Sequence, residues 1–255
     1  QPTTPARSSL CTLALFTALG LSSALSPALH AQESAMPNQP QTTTAEQLNA
    51  RQQAILPITA FAAVGDMERL TSALNNALDA GLPVNDAKEV LIQLYAYAGF
   101  PRSLNALGAL MKVEQERKQR GIVDEQGKEA GPVPVGDALL AQGTATQTQL
   151  AGGPVQGPLF DFAPAIGSYL KTHLFGDIFA RDNLDWQSRE LATLGILAAL
   201  PGAESQLQSH MRISMNVGLT PAQLQQVAQV LSAQVDAASG ARAQTALAQV
   251  LATKP

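Results

Sequence analysis

The chain nearly lacks cysteine. One of its 255 residues is a cysteine, Cys11, and it lies within an apolar run near the amino terminus. That run, residues 10–25, follows Arg7 and precedes the small-residue sequence SPALHA, residues 26–31. A charged start, an apolar middle and a small-residue end predict a secretory signal peptide over residues 1–31, cleaved after Ala31 or, alternatively, after Ala28. The other reading is an uncleaved anchor, for which the run is short against the roughly 20 apolar residues a spanning helix needs. Cys11 comes early in the run, a poor position for lipidation. The mature chain would therefore be periplasmic or secreted, with no stable membrane insertion. Losing Cys11 with the leader, it would have no disulfide and no thiol chemistry.

Other shortages narrow the classes further. Aromatic residues make up 4% and charged residues 14% of the chain. Runs alternating β-branched or aromatic residues with polar ones are missing, while alanine and leucine abound, so the expected fold is all-α. Beyond residue 31 there are 15 lysines and arginines against 20 acidic residues, a net charge of about −5 that gives nucleic-acid binding no support. Gly152-Gly153-Pro154 lacks the lysine and the following helix of a phosphate loop. Past the leader only His173 and His210 remain, in separate segments, so no metal site and no cofactor are expected.

What is present is mostly helical punctuation. Residues 32–44 are polar and read as a flexible linker. Apolar spacing predicts helices from about residue 45, over 67–80 and ending at Gly81, over 87–97 with Asn85 or Asp86 as cap, and over 102–120 behind Gly99-Phe100-Pro101. Residues 121–158 read as a connection holding at most one short helix, 136–142. Short helices follow over 160–169 and 171–179, and later ones over 221–237, capped by Thr220, and 240–252. At an offset of 137, Leu70 meets Leu207, Gly81-Leu82 meets Gly218-Leu219, and Leu94 meets Leu231. This predicts a duplicated unit, residues 45–120 and 159–255.

The stretch of residues 185–220 concentrates the chemistry. Glu190 opens a nearly uninterrupted apolar run, and after the Pro201-Gly202 break a second helix carries His210 and Arg212. Taken singly these residues have ordinary readings. Glu190 could cap a helix beside Arg189, and His210 could be an interior histidine. Arg212, about 200° round the helix from His210, need not share its face. His173, four residues before Asp177, fits a surface helix pair.

The sequence RELATLGILAAL (189–200), with Glu204, SHMR (209–212), Asn216 and GLT (218–220), resembles the carboxymuconolactone decarboxylase family, relatives of the alkylhydroperoxidase AhpD. YAGFP (97–101) is similar to the segment ending that family's domain, and residues 160–186 are similar to its lead-in helices. The resemblance implies two AhpD-like repeats and assembly into a homo-oligomer. Where the peroxidase branch has a Cys-x-x-Cys pair, this chain has Ala203 and Gln206, so thiol peroxidase activity is not expected. The decarboxylase branch, which uses neither metal nor cofactor, implies a lyase acting on a small carboxylated substrate. His210 would be the proton donor, a free histidine titrating at about 6.5. Glu190 would be its partner, and Arg212 or Arg181 would bind the substrate carboxylate. The alternative is a non-catalytic exported binding or scaffold protein that retains the pocket.

The two halves differ in what they keep. Gln53 and Ala73 stand where the second has Glu190 and His210, and Gln234 stands where the first has Tyr97. This predicts one composite pocket, with Tyr97 or Phe100 in side-chain contact with His210.

Overall fold

The computed structural model describes residues 47–253; the expected signal peptide and linker lie outside them. Among the described residues the protein is all-α, as expected. The helix α1 (Ala50–Val64) starts later than its apolar pattern suggests, because Asn49 caps it in a reciprocal box with Gln52. It is followed by α2 (Met67–Asp79), α3 (Val84–Gln93), a single helical turn α4 (Tyr95–Ala98) and α5 (Phe100–Gln119). The second series is α9 (Trp186–Ala199), α10 (Glu204–Asn216), α11 (Pro221–Gln234) and α12 (Ala237–Ala252). Between them lie α6 (Asp137–Ala151), α7 (Pro158–Phe162), α8 (Pro164–Tyr169) and a π-helix, Leu170–Ile178.

The offset of 137 recurs in the backbone. The starts of α2 and α10, and those of α5 and α12, differ by that number. Both α2 and α10 end in the same six-residue cap: Leu82 N–H donates to the Ala77 carbonyl and Leu219 N–H to the Ser214 carbonyl, each at 2.9 Å. Gly81 and Gly218 supply the positive φ, 80° and 99°, that this cap requires.

At the centre α1 crosses α9. Both are buried on nearly every side, which matches their almost uniformly apolar sequences. Gly195 makes the approach possible, since a Cβ there would lie 2.2 Å from Thr59 Oγ1 and 2.9 Å from the Leu56 carbonyl oxygen. Outside this crossing, α6 packs on the π-helix just as closely. A Cβ on Gly143 would fall 1.7 Å from the Lys171 carbonyl oxygen. Leu150, Leu174, Phe175, Ile178 and Phe179 form a second, smaller core there, with Trp186 donating to the Phe179 carbonyl at 3.0 Å.

Three local expectations are corrected. The helix in the connection is longer than 136–142, because Gly143, unfavourable in an isolated helix, is what lets α6 seat against the π-helix. Neither Asn85 nor Asp86 caps α3. It begins at Val84, and the Val84 and Asn85 N–H groups donate to the Glu125 and Gln126 carbonyls at 2.8 and 2.9 Å, so the connection itself satisfies the helix start. The last helix starts three residues early, capped by Asp236. The connection is tied down by Arg117, which is buried and pairs with both carboxylate oxygens of Asp124 and with Asp79.

Candidate functional site

Glu190 does not cap α9. Asp185 does, accepting from Ser188 N–H at 2.8 Å. Glu190 lies one turn further on, inside the apolar part of the helix and completely buried. Its Oε2 is 2.8 Å from His210 Nδ1 on α10, and its Oε1 is buried with no partner among the described residues. The contact occupies Nδ1, and the other ring nitrogen, Nε2, makes no hydrogen bond among the described residues. Two helices that touch along their length thus hold an acid and an imidazole 20 residues apart in hydrogen-bonding register.

His210 lines a cavity of about 740 Å³, within the usual range of roughly 300–1,000 Å³ for small-molecule sites. Tyr97, from α4, lines the same cavity and meets the His210 ring edge-on, with centroids 5.8 Å apart and planes at 76°. The expected contact between the first half's tyrosine and the second half's histidine is therefore present. Burial, and then the negative charge of Glu190, push the Tyr97 phenol above its ordinary value, so it stays a neutral hydroxyl. Arg212 also lines the cavity; it is exposed and makes no ion pair among the described residues.

Two expected site residues are elsewhere. Phe100 is 62% exposed and stacks on Tyr95 at 4.4 Å, away from the cavity lining, because the turn at Gly99 sends it outward. Arg181 makes a two-point pair with Glu89, at 2.9 Å for both bonds, and is not available to a cavity ligand. Arg189, adjacent in sequence to Glu190, also pairs with Glu89, at 3.2 Å, and not with its neighbour. His173 pairs with Asp177 on the π-helix at 2.6 Å, outside the cavity.

Sequence reasoning missed a small network behind Tyr97. Gln93 Nε2 donates to the Arg189 carbonyl and to Thr193 Oγ1, both at 2.8 Å. The hydroxyls of Thr193 and Tyr97 are 3.3 Å apart. Gln93 and Thr193 are fully buried, so this network fixes the phenol from behind. The available signal was one threonine inside an otherwise apolar run. Residues 121–158, expected to be a connection, also reach the site: Gln147 of α6 walls the cavity together with Leu170, Leu174 and Phe175 of the π-helix.

A second cavity, of about 670 Å³, is lined by Gln53, Ala73 and Gln234. These are the counterparts, at the offset of 137, of Glu190, His210 and Tyr97. It has neither an imidazole nor a carboxylate in their places.

Comparison with curated proteins gives no match. Comparison with protein families gives one over residues 164–252, the carboxymuconolactone decarboxylase family. The matched segment runs from α8 through α12 and contains both Glu190 and His210, and the all-helical architecture agrees with it. Over residues 164–252, then, the chain is similar to the carboxymuconolactone decarboxylase family.

Proposed function

We propose that the protein is a cofactor-independent decarboxylase or lactone lyase, acting in the periplasm on a small carboxylated substrate. The observation that carries this reading is the buried Glu190–His210 pair at 2.8 Å, opening through His210 onto a walled cavity. In the proposed step the bond from carbon to the carboxylate breaks and its electron pair stays on the carbon, conjugated into the lactone, as carbon dioxide leaves. The imidazolium of His210 then gives its Nε2 proton to that carbon. Glu190, held on Nδ1, orients the ring and balances its positive charge. Tyr97 bounds the position of the substrate beside the ring, and Arg212 offers a guanidinium to a carboxylate.

The recurring offset of 137, in caps, helix starts and paired cavities, supports descent of the two halves from one duplicated unit. On that reading each chain has one complete site and one that has lost its acid and imidazole, and the chain assembles with further copies as a homo-oligomer. The emptied twin also favours a second reading, a binding protein without chemistry.

Carbon dioxide release from a panel of small carboxylated lactones distinguishes the two. The expected result is turnover that His210→Ala abolishes and Glu190→Gln lowers by about 10²–10⁴-fold, the usual weight of general acid–base groups. Binding of panel members with no release of carbon dioxide would sink the decarboxylase and leave the binding protein.

A further inference from the structure

The cavity over His210 offers more apolar surface than a small polar lactone can use. Leu197 and Leu200 of α9 line it, and across from α9's series come Leu170, Leu174 and Phe175 of the π-helix. No aspartate or glutamate is among the lining residues, and Arg212 is the one lysine or arginine among them. Lys171 opens instead on a smaller adjoining cavity of about 320 Å³. Such a lining selects against ligands with several charges, because the His210 ring is already balanced by Glu190 and each extra carboxylate would lose its water against leucine and phenylalanine. It favours ligands with one charge and an extended apolar body.

We propose that this cavity takes amphipathic monocarboxylic acids, the carboxylate on Arg212 and the apolar body between α9 and the π-helix. The inference rests on the reading of the His210 cavity as the ligand site and names the chemical class that site accepts. It separates this chain from a catalyst of compact polycarboxylates by its walls, while leaving the His210–Glu190 pair in its role.

The test is calorimetric titration of the protein with butanoate, hexanoate, octanoate and decanoate, and with succinate as the compact dianion. Affinity should rise about fourfold for each added methylene, as expected when a methylene leaves water for an apolar wall. Arg212→Gln should weaken octanoate about tenfold, the weight of a hydrogen bond to a charged group, and leave octanol unchanged. Leu174→Asn should flatten the series.

A flat series, or succinate binding more tightly than octanoate, would overturn the proposal; the latter would point to a dianion reaching Lys171. A steep series unmoved by Arg212→Gln would place the acids elsewhere and overturn it too. Because the exposed Arg212 can be replaced without disturbing the core, that variant keeps the test decisive should Leu174→Asn fail to fold. The two readings fail separately. A flat series with turnover of a compact lactone refutes this inference alone. A steep, Arg212-dependent series without any carbon dioxide release refutes the decarboxylase alone.

Discussion

Replacing Glu89 by glutamine should destabilise the protein more than any change at its surface. Glu89, on α3, is buried and bridges Arg181 and Arg189, and the Arg189 side chain is fully enclosed. Arg189 Nε and Nη1 already have no partner among the described residues, so the Glu89 carboxylate is the main compensation for that buried charge. Breaking a buried pair by removing one partner costs about 3–5 kcal/mol. For a protein of this size that lowers the melting temperature by on the order of 10 °C. Urea unfolding followed by circular dichroism would show a lower midpoint at an unchanged slope.

The pH dependence gives an independent check. Burial alone would raise the Glu89 carboxyl, but hydrogen bonds from Arg181 and Asn183, with the charges of the two arginines, outweigh it and set its pKa below the ordinary value of 4.5. A carboxyl lowered in the folded state stabilises fully above its unfolded pKa, and that contribution disappears as pH falls through the folded one. The stability gap between the native protein and Glu89→Gln should therefore be constant above about pH 5 and narrow in more acidic solution. Adding Arg189→Met should recover most of the loss, since it removes the stranded charge and substitutes apolar packing. A single variant within about 1 kcal/mol of the native protein, or a double variant no better than the single, would refute the reasoning.

Other outcomes follow from the same geometry. Gly195→Ala should cost about 1–3 kcal/mol by wedging α1 from α9, and Thr59→Ala in the same chain should recover part of it by clearing the atom at 2.2 Å; chemical denaturation of the native protein and the two variants measures both. Gly143→Ala, whose Cβ meets the Lys171 carbonyl, should loosen α6 from the π-helix. The fluorescence of Trp186, the only tryptophan, should then shift to the red as its environment opens. The Lys128 ammonium and the Gly131 N–H lower the Asp182 carboxyl to about 2. In an NMR titration Lys128→Met should move that midpoint up toward 3.8, with the unfolding midpoint unchanged because both side chains are exposed.

The sequence by itself determined the helical class, most helix ends and the placement of Glu190 and His210 on consecutive helices. These follow from short-range causes: apolar spacing, the Asn49 and Thr220 capping boxes, and glycines at positive φ. Even the meeting of Tyr97 with His210 could be anticipated, from the residues that differ at the offset of 137. The tertiary structure alone decided which charges pair. Arg181, Arg189 and Glu89 are brought together from residues about a hundred positions apart, a distance no local rule spans. It also decided how α3 begins, with its N–H groups turned to the carbonyls of residues 125 and 126 instead of to a cap of its own. The cavity wall is the same kind of case. The glycines at 143 and 176 weaken any local helix signal, and only the approach of α6 to the π-helix explains why they are there. Local chemistry sets what each segment forms, whereas the pairing of buried charges and the closing of a cavity depend on which segments become neighbours.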